Sequence, residues 1–290
     1  MYIALAVLAV SCGKEAEFDA QGTFEATEVL VSSEASGKIM RLDAEEGTQV
    51  LANAVVGEVD SLQLDLQRKQ LIAQRSALLG SRPDVQKQVA TIKEQIAKQK
   101  TELARFANML RDGATTQKQY DDMEAHLRVL ESQLDATLST LTKNTVTINN
   151  NSAALESQIL ALEDRIAKCR VVSPVGGTVL VKYAEVGELA TMGKPLFKVA
   201  DLDKMYLRAY FTSEQLSRVK LGDTVKVIAD FGAEERFEYE GTITWIASES
   251  EFTPKTIQTK DSRANLVYAV KIAVKNDGRL KIGLAGEVIL

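Results

Sequence analysis

Nucleophilic and soft-ligand side chains are few: two cysteines (Cys12 and Cys169), one histidine (His126) and six methionines scattered along the chain. A soft metal needs thioether, thiolate or imidazole groups gathered at one point, and this distribution provides no such cluster. His126 precedes the apolar Leu127 and reads as a surface residue rather than a ligand. Cys169 falls at an apolar position of a helical repeat and reads as a small buried hydrophobe. The stretch RFANMLRDGATTQKQYDDMEA, residues 105–125, has neither cysteine nor metal-ligand spacing, so its glycine and threonines suggest a turn. No enzymatic chemistry, metal or cofactor is expected.

Cys12 offers a different chemistry. It closes the run MYIALAVLAVSCGK, in which a small residue precedes the cysteine as in a lipoprotein-type signal. Residues 1–12 are therefore expected to be that signal segment, with Cys12 acylated, and residues 13–27 a linker or first barrel-associated segment. The apolar run is too short to span a bilayer, which takes about 20 apolar residues. An exported protein tethered at most by lipid is the expectation.

The 290 residues are enough for two or three domains, and 45% hydrophobic with 26% charged residues describes a folded chain. Only 6% are aromatic, which fits long helices and small β modules better than one large core. A net charge of -5 gives no basic footprint, so nucleic acid is excluded as a partner.

Two segments are copies of one unit. ASGKIMRLDAEEGTQVLANAVVGEVD and VGGTVLVKYAEVGELATMGKPLFKVA place Gly37 and Gly47 opposite Gly177 and Gly187, and Ile39, Val56 and Val59 opposite Val179, Leu196 and Val199, at a constant offset. Each alternates apolar and polar residues around glycines, the pattern of short half-buried strands. The four glycines are expected to hold turns at positive φ. Two such halves resemble the biotinyl/lipoyl carrier fold, in which a lysine at the junction receives the cofactor. Here about 110 residues separate the halves, with no acceptor-lysine motif at the junction, so a carrier protein is the weaker alternative.

The inserted residues 61–170 contain two of the 17 glycines and one of the four prolines, a composition suited to helix. One apolar lane repeats every seven residues from Leu64 through Leu71, Leu78, Val85, Ile92 and Phe106, with Gln99 as its polar member. A second runs through Val89, Ile96, Leu103 and Leu110. The return limb repeats from Tyr120 to Ile166. Pro83 is expected to kink the first limb rather than stop it. The stretch STLTKNTVTINNNS is poor in helix formers, yet the matching limb lengths predict helix through it. After Ala200, alternating strands surround TSEQLSRVKLGD, whose Thr212 and Gln215 are placed as a capping box. The expected fold is α+β and multidomain. Its parts are a lipoyl-like β-sandwich (residues 28–60 and 171–200), a long antiparallel coiled-coil α-hairpin splitting it (61–170, tip near 111–117), and a small antiparallel β-barrel (201–290).

In this order the parts resemble the HlyD-type periplasmic adaptors, or membrane fusion proteins, with CRVVSPVGGTVLVKYAEVGELATMGKPLFKVADLDKMYLRAYFTSEQLSRVKLGDTVKV the most specific stretch. The resemblance implies a non-enzymatic conduit in the periplasm of a Gram-negative cell envelope. It would be a homo-hexameric funnel between an inner-membrane exporter and an outer-membrane exit duct, anchored through Cys12. It further implies a duct-binding tip marked by arginine, leucine and serine at spacings of four and seven. Arg105 matches the arginine, Met109 (beside Leu110) stands for the leucine and Thr116 for the serine. The sequence ends directly after the barrel, a layout the resemblance links to ABC-type exporters; adaptors of RND-type or metal-efflux pumps are the alternatives.

Acylation at Cys12 is directly testable. Labelled palmitate is expected to enter the wild-type protein and not Cys12→Ala; equal labelling of both would contradict it.

Overall fold

The structure, a computed structural model, describes residues 18–232, 236–252 and 266–290. The chain divides into a β unit, Met1–Val59 with Arg170–Leu290, and a helical unit, Asp60–Cys169. Cys12 lies outside the described residues.

In the β unit, β1 (Ala20–Glu25) is followed by the first half-motif: β2 (Glu28–Ser32), β3 (Gly37–Leu42), β4 (Gln49–Val50) and β5 (Val55–Val59). The second half-motif is β6 (Arg170–Val172), β7 (Gly177–Lys182), β8 (Leu189–Ala190) and β9 (Pro195–Ala200). The sheets run β2-β9-β7-β4 and β6-β5-β3-β8, so each takes two strands from either half. The sequence repeat has become a structural two-fold. Ile39 N–H donates to the Glu188 carbonyl at 2.8 Å and Val179 N–H to the Thr48 carbonyl at 2.9 Å; Asn53 N–H donates to Ser173 and Gly193 N–H to Ser33, both at 2.8 Å. Repeat-matched Ile39, Val59, Val179, Leu196 and Val199 fill the interior.

Of the four glycines expected in turns, Gly47 (φ 84°) and Gly187 (φ 96°) occupy them. Gly37 and Gly177 instead open β3 and β7, which corrects the turn expectation for those two, although Gly177 does take a positive φ of 157°. At Gly177 the reason for glycine is space, because a Cβ there would lie 2.2 Å from the Ala200 carbonyl oxygen. Lys182 breaks the symmetry, standing at the position of Leu42 in the first half. Its side chain is largely covered, and its Nζ pairs with the exposed carboxylates of Glu45 at 2.7 Å and Glu185 at 2.8 Å. Hydrogen bonds from that ammonium to Glu185 and then Glu45 raise its pKa above the usual lysine value.

The barrel comprises β10 (Lys204–Thr212), the short helix α4 (Ser213–Leu216), β11 (Thr224–Asp230), β12 (Phe237–Ile246), β13 (Glu251–Phe252), β14 (Leu266–Lys275) and β15 (Ala285–Ile289). Six strands run β10-β1-β15-β11-β12-β14 and close through β14 on β10, with β13 added at the end of β14. Closure leaves those six strands no free edge. β1, from before the sandwich, is a stave of this barrel, and its Phe24 is fully buried with Leu207, Phe211 and Ile272. Thr212 and Gln215 form the capping box expected of α4.

Three helices make up the helical unit. They are α1 (Leu62–Gly80), α2 (Val85–Arg111) and α3 (Gln117–Ala167). The 51 residues of α3 run unbroken for about 75 Å at 1.5 Å rise each. The Thr/Asn-rich stretch is helical as expected. There Thr145 and Thr147 turn their hydroxyls back to the carbonyls of Leu141 (2.8 Å) and Lys143 (3.0 Å).

At Pro83 the first limb stops and restarts, where a kink was expected. α1 ends at Gly80, and Asp84 starts α2 as its N-cap by accepting from the Lys87 N–H. Proline pushes Arg82 out of helical geometry, and Asp84 offers a competing helix start. The register with α3 nevertheless survives the break. Arg68 faces Glu163 at 3.8 Å, Arg75 faces Glu156 at 2.7 Å, Arg82 bonds Asn149, and beyond the break Lys100 faces Glu131 at 2.9 Å. Between these rungs lies the seam of Val89, Ile96, Leu127, Leu130, Leu141, Ile159 and Leu162. The polar lane member Gln99 donates to the Met123 carbonyl at 3.0 Å, and buried Ser152 receives the Arg75 Nε–H at 3.3 Å.

Gly177→Ala is expected to destabilise the β unit more than Gly187→Ala. The first forces a backbone shift, whereas the second costs about 1–2 kcal/mol of left-handed strain in open space. Calorimetric unfolding of the two variants ranks them, and the reverse order would contradict the steric reading.

Candidate partner-binding site at the hairpin tip

Both helix ends at the tip are closed by their own backbone and side chains. Asp112 caps α2, Gly113 takes φ 75°, its N–H donates to the Leu110 carbonyl at 3.1 Å, and the Ala114 N–H donates to the Met109 carbonyl at 2.8 Å. This pair of bonds with a left-handed glycine satisfies carbonyls that the last helical turn would leave open. Two residues later Thr116 caps α3. Its Oγ1 accepts from the Gln119 N–H at 3.4 Å while the Gln119 Oε1 accepts from the Thr116 N–H at 3.2 Å. Thr115 Oγ1 donates to the same Gln119 oxygen at 2.6 Å. The tip is a short turn held from both sides.

The four sequence-derived tip residues fall into different environments. Arg105 is 71% exposed along its side chain, and its only ion pair described is a long one with Glu102, at 3.4 Å. Met109, one turn further along α2, and Leu110 are half-buried. Thr116 is exposed as a residue, but its hydroxyl is engaged in the cap. The T-x-x-Q spacing of Thr116 and Gln119 carried this signal in the sequence. The return limb accordingly starts at Gln117, three residues before Tyr120, where its apolar repeat begins. What this end of α2 presents is a largely exposed guanidinium, loosely paired with both carboxylate oxygens of Glu102, beside an apolar step.

Elsewhere, His126 is exposed on α3. Cys169 is buried, its Sγ–H directed to the Arg165 carbonyl at 3.4 Å. Among the described residues no group of three or more His, Cys, Asp or Glu is placed to hold a metal ion, and no helix is long and apolar enough to cross a membrane.

Comparison with known proteins places this architecture. No protein-family model matches the chain. It is similar to a UPF0194 membrane protein of Yersinia enterocolitica, 33% identical over 115 residues that make up 39% of this chain and 34% of that protein. The UPF0194 membrane protein YbhG of Salmonella gallinarum is 30% identical over 115 residues, with the same shares. The match thus spans about a third of the length of these curated relatives. Among solved structures, MacA from Actinobacillus actinomycetemcomitans matches with a TM-score of 0.51 and 22% identity, over 93% of this chain and 76% of MacA. The membrane fusion protein Spr0693 of Streptococcus pneumoniae R6 matches with a TM-score of 0.52 and 14% identity, over 93% of this chain and 97% of that one. The fold is that of the membrane fusion proteins, the HlyD-type class that the sequence resembles.

Proposed function

We propose that this protein is a periplasmic adaptor subunit. It links an inner-membrane exporter to an outer-membrane duct and forms part of a sealed conduit, while the transport chemistry belongs to the exporter. One observation supports this reading: in a membrane-fusion fold, the helical insertion ends in a turn closed by its own caps, with the exposed Arg105 about two turns back along α2. A helical hairpin of this length has no evident use in a carrier protein. It is suited to reaching a second protein.

In this function Arg105 supplies charge-assisted hydrogen bonds to the duct. Met109 and Leu110 supply adaptable apolar packing. Thr116 acts through shape, keeping the turn closed, because its hydroxyl already serves the cap. Assembly as a homo-hexamer repeats each contact around a ring, so one substitution is felt several times over. Acylated Cys12 holds the protein to a membrane of the Gram-negative cell envelope. For the exporter, we take an ABC-type pump as the first candidate, with RND-type and metal-efflux pumps as the alternatives. Loss of export on ATP depletion at constant proton gradient agrees with that assignment, and the opposite dependence reassigns it to an RND-type or metal-efflux pump.

Arg105→Asp is expected to abolish dye efflux in cells lacking the native adaptor, and with it cross-linking from the tip to the duct. Protein level, lipidation and exporter association should be unchanged. His126→Ala, further along α3, is the control and should retain efflux. Full efflux by Arg105→Asp at normal protein level would remove the tip from the duct contact.

A further inference from the structure

We infer that the hairpin carries a hinge at mid-length, built from residues 81–84 on one limb and residues 143–152 on the other. On the first limb the helix is interrupted outright, with Pro83 in the gap and separate helices on either side. On the second, α3 is continuous but consists there of Lys143, Asn144, Thr145, Val146, Thr147, Ile148, three asparagines and Ser152, none of them among the strongest helix formers except the lysine. The hydroxyls of Thr145 and Thr147, hydrogen-bonded to carbonyls one turn back, are a known cause of helix bending. Arg82 in the gap bonds Asn149 in the soft stretch, so the two weak segments stand at one level.

The cross-limb contacts weaken at the same place. Arginines recur every seven residues at 68, 75 and 82, and the first two meet Glu163 and Glu156. The third meets an uncharged asparagine instead of a carboxylate. The seam is soft here as well: α1 has no fully buried side chain, whereas α2 buries Val89 and Ile96, and the buried α3 position nearest the break toward α1 is Ser152. Interrupted helix, low propensity and an uncharged rung coincide. Bending at this level by about 20° would swing the far end of α2, about 40 Å away, sideways by about 14 Å while the tip turn keeps its internal bonds. The hinge stands on the hairpin alone and does not depend on the adaptor reading.

Hydrogen–deuterium exchange of the full chain tests it. In a uniform helix the middle is the best protected part. A hinge predicts that amides of 143–152 exchange at least tenfold faster than those of 124–134 in the same helix. Asn149→Glu, which gives Arg82 the carboxylate found at the other two arginine rungs, should bring the ratio below threefold. Equal protection of the two stretches overturns the hinge. So does fast exchange that Asn149→Glu leaves unchanged, since the rung would then play no part.

Discussion

The pairing of β5 with β6 constrains everything else in this chain. Val55 lies opposite Val172 and Glu58 opposite Arg170, although about 110 residues of sequence separate the two strands. Neither sheet of the sandwich can form from one half, because each draws two strands from the first copy and two from the second. An unstructured connection of that length would cost roughly 4 kcal/mol of closure entropy beyond a constant, and would have to be closed before any strand contact compensates it. An antiparallel helical hairpin avoids most of this. Its limbs find each other through local seam contacts and return the chain close to its point of departure.

The same requirement accounts for the detail of the hairpin. A return limb must keep register over about 75 Å, and a slip of one residue would rotate every apolar side chain off the seam. Register is fixed by the apolar lanes and reinforced by the arginine rungs, each exposed pair adding only about 0–1 kcal/mol. The break at Pro83 is tolerated because the seven-residue lane is continuous in sequence across it, so α2 resumes contact with α3 where α1 left off. At the far end the caps of Gly113 and Thr116 satisfy the helix termini internally, and Arg105, about two turns back along α2, stays largely exposed.

Much of this was legible in the sequence. The constant offset between Gly37 and Gly177 and between Gly47 and Gly187 revealed the duplicated unit, because a repeat of turns and strands leaves both glycine and apolar positions in phase. It did not reveal which glycines sit in turns. Gly177 is needed where a strand passes close to Ala200, a tertiary fact with no local signature. The helix through STLTKNTVTINNNS followed from limb length against local propensity. The interruption at Pro83 is hidden by the continuity of the apolar lane, which runs on in sequence while Asp84 starts a new helix as its N-cap. At the tip, resemblance singled out Thr116 as a contact, but the Gln119 spacing already pointed to a cap. The arginines at 68, 75 and 82 carry no signal in the sequence alone, since a ladder of charges has meaning only once the opposite limb is in register.

Replacing residues 62–168 by a short flexible loop tests the account most directly. If the sandwich depends on the return of the chain and not on the chemistry of the insertion, the shortened protein keeps a folded, cooperatively melting β unit, because β5 and β6 can still pair. If the insertion is what reaches the duct, the same protein supports no efflux in cells lacking the native adaptor. A β unit that fails to fold with the loop in place, or efflux that persists without the hairpin, would contradict the account.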